Sequence, residues 1–276
     1  MRDPGAPFWV PSAALQRHVN RTASGNPEVD WLTHVRAHHL AGELKRTLIV
    51  GCGEGHVERA LARMPGGGAI TATDADAGAV ERARRQVERR GLTGIAHAVL
   101  DPDTQPPPAG PWDAILVQGV LRHAARPGEL LKQLHDTLAP HGRLVFVEYV
   151  GPDRFQYSDA QRAIVDRYLR LLPERLRFAR SDAEESLRAC PHEAAHSAEL
   201  LDLARRTFAE EAMYSGGGGL LHPLLSGLER NFGKDPADDE RVLAVLCAAE
   251  AHLSARGLVC DAFAIFVGRR RAGARG

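Results

Sequence analysis

The sequence predicts a doubly wound α/β fold around a mostly parallel, seven-stranded sheet, and three observations carry that prediction. An apolar run over residues 47–50 ends in glycines at alternate positions, Gly51, Gly53 and Gly55, and a helical pattern starts at once. A second apolar run, residues 69–74, ends in an acid about twenty residues beyond the glycines, the spacing of a strand-turn-helix-strand unit that holds a nucleoside. Strand-like and helical stretches then keep alternating up to residue 148, which is how a parallel sheet with helices on both faces reads in sequence.

Each element has a local reason. Val57, Ala60, Leu61 and Met64 fall at i, i+3, i+4 and i+7 and make a one-sided helix that Pro65 and the following glycines terminate. Asp76 suits a helix N-cap, Val80, Ala83 and Val87 face inward, Glu81 and Arg85 pair on the wet face, and Gly91 closes the helix. A third strand is expected at 96–101, and the stiff proline-rich stretch 106–111 leads into a fourth at 112–117. From Pro127 a helix buries Leu130, Leu131, Leu134 and Leu138 and stops at Pro140 and Gly142, before a fifth strand at 143–148.

Alternation breaks after residue 150. Ile164, Val165, Tyr168, Leu169 and Leu172 mark a helical stripe, read as an insertion over the strand ends that forms a lid on the substrate side, residues 151–207. Strand character returns at 208–215 and 260–267, separated by helical segments around 220–228 and 242–253, and completes the sheet. Phe8, Trp9, Trp31, Val35 and Leu40 give residues 1–42 the apolar weight of a helical cap. The nucleoside-binding core is thus expected in 43–150 and 208–268, with a basic tail at 269–276.

Lys plus Arg and Asp plus Glu balance at 35 each, so no global field draws in nucleic acid or acidic lipid, and the cluster Arg269–Arg271 reads as a solvated tail. Cys52, Cys190, Cys247 and Cys260 lack the spacing of a structural zinc site or a disulfide framework. Without a secretory h-region or a run of about eighteen apolar residues, cytoplasmic residence and a small-molecule substrate are the expectation. Monomer and homodimer both remain open.

The glycine spacing bears on the ligand. A dinucleotide fingerprint asks for a third glycine at position 56, which is His56, so nicotinamide chemistry is disfavoured. Together with Asp74, Asp101, the run Trp112–Val117 and Pro140-His-Gly-Arg143, the turn makes residues 47–149 resemble the Rossmann-like core of the class I S-adenosylmethionine (SAM) methyltransferases. The segments Glu148–Gln156, His196–Glu199, Gly219–His222 and Asn231-Phe232 further resemble a bacterial subgroup of these enzymes that acts on small molecules. The resemblance implies SAM as cofactor and S-adenosylhomocysteine (SAH) as product. It places Gly51, Cys52, Gly53 and Gly55 under the methionine part and Asp74, followed by Ala75, on the ribose hydroxyls. Asp101 falls on the adenine amino group, and Gln118 and Gly119 on the amino acid part. Pro102 departs from the pattern, because the family commonly donates a backbone N–H to adenine there and proline has none. Asp103 is the substitute donor, or that contact is thin. Read from the residues alone, Asp101 is equally an ordinary turn acid in Asp-Pro-Asp, and Gln118 a strand-end cap.

Methyl transfer from a sulfonium is an in-line displacement, so positioning in a dry pocket matters most and a base only for a weakly acidic hydroxyl. Glu148, at the end of the fifth strand, and His123, after the fourth, are the catalytic candidates. Their plain alternatives are a salt bridge from Glu148 to Arg154 and a packed histidine. Tyr149, Arg154, Gln156 and His222 are expected to line the acceptor pocket. His192-Glu-Ala-Ala-His196 matches the zinc-hydrolase pattern with Glu193 as base, and a short pattern inside a nucleoside-binding chain is read as coincidence, with no resident metal. The leading expectation is methylation of an oxygen or nitrogen of a small metabolite. The second is SAM-dependent chemistry of another kind, cyclisation or decarboxylation, on the same fold.

Overall fold

A computed structural model describes residues 10, 12–177 and 193–271. Seven strands form one sheet in the order β3-β2-β1-β4-β5-β7-β6. β1 (Arg46–Val50), β2 (Ala69–Asp74), β3 (Ile95–Val99), β4 (Trp112–Gln118) and β5 (Leu138–Tyr149) run parallel, and β7 (Phe263–Arg270) is antiparallel to both β5 and β6 (Phe208–Gly217). The expected α/β class and strand number are therefore correct. Strand order reverses between β1 and β4, and the crevice beyond their carboxyl ends is where a doubly wound sheet leaves room for a ligand.

Continuous apolar sequence fits the central strands because both faces are covered. On one face Ile49, Ile70, Leu116 and Val145 pack against α2 (Trp31–His38), α3 (His56–Leu61) and α4 (Ala77–Arg89). On the other, Leu48, Ile115, Val117 and Phe146 meet α5 (Pro127–Thr137) and α8 (Leu200–Thr207). A separate helical core joins α1 (Ala13–Ser24), α6 (Asp159–Leu171), α7 (Glu174–Arg177), α9 (Leu221–Leu225) and α10 (Pro236–Ala255) through Leu15, Val19, Val165, Leu176, Leu224 and Leu246.

Several local expectations change. α3 ends at Leu61 rather than at residue 64. Leu138 leaves the helix: its ψ of 142° is extended, and it opens β5 by pairing with Trp112. β3 stops at Val99, is an exposed edge strand, and puts Asp101 in the turn that follows. The basic cluster begins inside β7, where Arg270 donates to Leu138 O at 2.7 Å and Arg269 approaches Glu211, so Arg269 and Arg270 are strand residues rather than tail. Residues 272–276, and Phe8, Trp9 and Cys190, lie outside the described residues. Among the described residues no helix is long and apolar enough to cross a membrane.

Candidate functional site

The site begins where β1 must turn. Gly51, Gly53 and Gly55 all have positive φ (82°, 52° and 81°), a conformation cheap only without a Cβ. The amides of Gly51 and Cys52 both donate to Thr73 O, at 2.8 and 2.9 Å, which ties the turn to the end of β2. Asp74 completes the clasp: Oδ2 accepts from Gly53 N at 2.8 Å and Oδ1 from Asp76 N at 2.9 Å. Asp76 in turn caps α4 through Gly78 N, as expected of it. Under the turn, Glu58 and His97 form a buried pair at 2.9 Å. Burial also raises the Cys52 thiol, with Glu58 and Asp74 adding to it, so Cys52 fills space and is no nucleophile.

Across the crevice β4 ends in Gln118 and Gly119, the latter with φ 63° and its N–H bonded to Val147 O at 3.1 Å. An ideal Cβ on Gly53 or Gly119 meets nothing within 4 Å, whereas one on Gly51 lands 2.4 Å from Gln118 O. Two bare backbone turns with an acid at the end of β2 fit the methionine and ribose parts of SAM, since an ionised carboxylate is a pure acceptor for a vicinal diol. Ala75 is exposed beside Asp74.

The adenine side is thinner. Asp101 spends its carboxylate on its own turn, accepting from Asp103 N at 3.0 Å and Thr104 Oγ1 at 3.1 Å. With Pro102 lacking an N–H and the Asp103 N–H engaged, neither residue after Asp101 has a backbone donor to offer a purine ring. Asp103 instead reaches Ala125 N at 2.9 Å and pins the loop after β4.

Glu148 is fully buried, and its Oε1 accepts from Val120 N at 2.6 Å and Leu121 N at 2.7 Å. These two backbone amides, rather than Arg154, are its partners, and they shape the loop after β4. Burial raises its pKa against the opposing charge of Arg122 and those two hydrogen bonds. Glu148→Gln is therefore expected to fold normally, because the amide oxygen can serve the same two N–H groups. Glu148→Ala leaves both unpaired and is expected to cost about 2–4 kcal/mol. The sign in pH follows: a raised carboxyl binds its proton more tightly when folded, so wild type loses stability relative to Glu148→Gln as pH climbs from the unfolded to the folded pKa. Urea melts of both variants between pH 5 and 8 check this.

His123 has both ring nitrogens engaged, Nδ1 with Glu193 Oε2 at 2.8 Å and Nε2 with Arg122 Nε at 3.0 Å. The ring thereby bridges two charged side chains, Arg122 and Glu193. Glu193 lies below the ordinary carboxylate range: burial would raise it, but the bond from His123 and the charges of Arg122 and His123 outweigh that.

Tyr149 is buried against Phe155, His222 and Phe263, and its hydroxyl donates to Pro152 O at 3.1 Å. It forms a wall of the site and not its lining, and burial pushes its phenol up to about 12. His222 Nδ1 meets Tyr157 OH at 2.8 Å, and burial, followed by the charge of Arg122, lowers its pKa to about 4, so it stays neutral. Arg154 and Gln156 are exposed, with Arg154 at φ 51° and its N–H bonded to Ala194 O at 2.7 Å. His192 lies outside the described residues. Ala194 has φ 51°, which breaks the single helix face that the zinc pattern requires between Glu193 and His196. His196 pairs with Glu199 at 2.8 Å, and among the described residues no His, Cys, Asp and Glu side chains gather as a metal set.

Sequence reasoning missed Arg122, which sits amid Glu148, Tyr149, Glu193 and His222, and saw Glu193 only as a zinc-pattern base. The signal was present in Leu121-Arg-His-Ala, an arginine beside the histidine at a strand end.

Comparison with known proteins agrees with this geometry. Residues 48–144 match a family model described as a methyltransferase domain. A ubiquinone biosynthesis O-methyltransferase of Caulobacter sp. (strain K31) is 32% identical over 100 residues, 36% of this chain and 39% of that protein. A demethylmenaquinone methyltransferase of Thermus thermophilus is 28% identical over 154 residues, 56% of this chain and 70% of the relative. In fold, the cyclase SpnF superposes with a TM-score of 0.54 at 18% identity, covering 96% of this chain and 98% of its own. A phosphoethanolamine N-methyltransferase of Haemonchus contortus in complex with SAM gives 0.54 at 14% identity, covering 86% of this chain and 51% of that one. The clasped glycine turn, the sheet order and these matches identify residues 48–144 as a methyltransferase domain of the class I SAM-dependent type, the part of the chain that SAM fits as cofactor.

Proposed function

We propose that the protein transfers a methyl group from SAM to an oxygen of a small acceptor held between the carboxyl ends of β4 and β5 and the described residues 151–177 and 193–207. The observation that carries this reading is the pair of uncovered, left-handed glycines, Gly53 and Gly119, flanking a crevice whose ribose end is Asp74. Bound there, SAM supplies an electrophilic methyl on a sulfonium. Gly51, Cys52, Gly53 and Gly55 seat the cofactor, Asp74 orients its sugar, Gln118 and Gly119 face its amino acid part, and Asp101 is left the adenine amino group. Residues 43–150 and 208–268 are the cofactor core, and of the expected lid and cap the described residues 151–177 and 193–207 cover the acceptor and 12–42 close over the core. Oxygen is favoured over nitrogen because the guanidinium of Arg122 on the acceptor side repels a cationic acceptor, while the carboxylate beside it, Glu193, is already paired with His123 and Arg122. The names of the Caulobacter and Thermus relatives support small-molecule methylation, and a small acceptor suits a cytoplasmic enzyme.

Calorimetry with SAM and SAH tests the cofactor site, and mass spectrometry of SAH release tests the reaction. Asp74→Ala is expected to weaken SAM by roughly one to two orders of magnitude per lost ribose bond. Because Asp74 also holds Gly53 N and Asp76 N, Asp74→Asn is the control that keeps one acceptor. Unchanged affinity in both variants would count against the site. The likeness to SpnF over nearly the whole chain supports a second reading, cyclisation in the presence of SAM, which predicts product formation without SAH release.

A further inference from the structure

We infer that Arg122 is the specificity-determining residue of the acceptor site and that it selects an acceptor already anionic at oxygen, a carboxylate or an acidic phenol or enol. The inference rests on the methyltransferase reading and deepens it.

Arg122 lies four residues beyond the last residue of β4, on the edge of the sheet that carries the glycine turns. It is held there from both ends. Its carbonyl accepts from Ala194 N at 2.9 Å, and its Nε donates to His123 Nε2 at 3.0 Å and lies 3.6 Å from Glu193 Oε1. Among the described residues these bonds use Nε, which leaves the terminal amino groups, the fork that grips two oxygens, for another partner. The side chain is 17% exposed, enough to meet a ligand yet shielded enough for its charge to be felt. That charge reaches four groups from three segments, Glu148 and Tyr149 on β5, Glu193 and His222.

The proton acceptors around it are either bonded or sealed from solvent: Oε2 of Glu148 has no partner among the described residues but is wholly buried. Glu148 serves two amides, His123 bridges Arg122 and Glu193, and His222 stays neutral against Tyr157. Tyr149 and Tyr157 are phenols whose pKa burial raises. A crevice with a fixed cation and, among the described residues, no exposed unpaired base handles an oxygen that arrives ionised better than an alcohol that must first lose its proton. The oxygen lone pair then forms the new O–CH3 bond as the S–CH3 bond breaks and its electron pair stays on sulfur. Anion and sulfonium end as a neutral ester or ether and a neutral thioether, and no proton moves.

The test uses 4-nitrocatechol, whose phenolate is coloured, and benzoate, added to SAH-loaded protein. Wild type is expected to bind 4-nitrocatechol as the anion and lower its apparent pKa by about one unit, a tenfold preference for the ionised form. Arg122→Met should abolish that shift and weaken benzoate at least tenfold, with SAH affinity unchanged, and Arg122→Lys should keep part of the shift. An unshifted spectrum with wild type, or an equal shift with Arg122→Met, overturns the inference, as does failure of SAH-loaded wild type to take up either probe. Loss of SAH binding in wild type would instead overturn the methyltransferase reading beneath it.

Discussion

Glu250→Ala is expected to lower the unfolding free energy by about 3–5 kcal/mol, as much as truncation of a buried leucine in α10. The carboxylate is 1% exposed and receives four bonds: His18 Nε2 and Gly218 N on Oε1, at 2.8 and 2.9 Å, and Leu220 N and Leu221 N on Oε2, both at 2.8 Å. It joins the N-terminal helix α1, the glycine run after β6 and the start of α9 at one point, so its loss strands three buried N–H groups at once. Glu250→Gln is expected to recover only part, since one amide end must face either Leu220 and Leu221 or Gly218 and His18 as a donor against donors. Burial alone would raise this carboxyl, but the hydrogen bonds from His18, Leu221 and Gly218 together hold it below the ordinary range. A depressed carboxyl stabilises the fold above its unfolded pKa of about 4.3, and that contribution disappears as pH falls through the folded value. Glu250 and Glu148 thus have opposite signs: acid weakens what Glu250 holds, and base weakens what Glu148 holds. Urea denaturation of wild type and Glu250→Ala at pH 7 and pH 3.5 measures this. A stability gap that fails to narrow in acid contradicts the assignment.

The contrast between these two glutamates explains what the sequence made legible and what it did not. The glycine turn and Asp74 were readable because backbone geometry demands particular residue types locally: positive φ asks for glycine, and a strand end facing a crevice tolerates an acid. The sheet was readable from runs such as Leu48–Val50 and Ile115–Val117, whose burial on both faces leaves no polar position. Glu250 was not, because a carboxylate in the middle of a 20-residue helix looks like its wet face, and its partners lie about 30 and 232 residues away in sequence. Glu148 lies near the end of β5 as expected, yet its bonds go to Val120 and Leu121 N–H groups, which leave no trace in sequence. Tyr149 alternates correctly along β5 but meets Phe155, Phe263 and His222 from three other segments, which turn an expected lining residue into core. Asp101 satisfied its local turn reading, and the break at Ala194 that separates Glu193 from His196 is a backbone event no motif encodes.

Gly51→Ala is expected to abolish SAM binding and to cost about 2–4 kcal/mol of stability, and the comparison with Gly53→Ala identifies the cause. At Gly51 the left-handed conformation alone is worth about 1–2 kcal/mol against alanine. The larger part is contact: a Cβ there lies 2.4 Å from both Gln118 O and Val120 Cγ2, and the former is backbone that cannot swing aside. Relief requires β1 and β4 to part at their carboxyl ends, which pulls the amides of Gly51 and Cys52 off Thr73 O and loosens the bond from Gly53 N to Asp74. The glycine seat and the ribose acid would be displaced by one event. Gly53→Ala meets no neighbour within 4 Å, so its cost in stability is the backbone term alone, while its methyl enters the open space proposed for the cofactor. Melting temperature and SAM calorimetry on both variants then separate the two effects. Gly51→Ala should lose stability and affinity together, and Gly53→Ala should lose affinity with a fold close to wild type. Equal melting temperatures for the two variants would mean that the approach of β1 to β4 is not what sets the turn, and full SAM affinity in Gly53→Ala would move the cofactor off it.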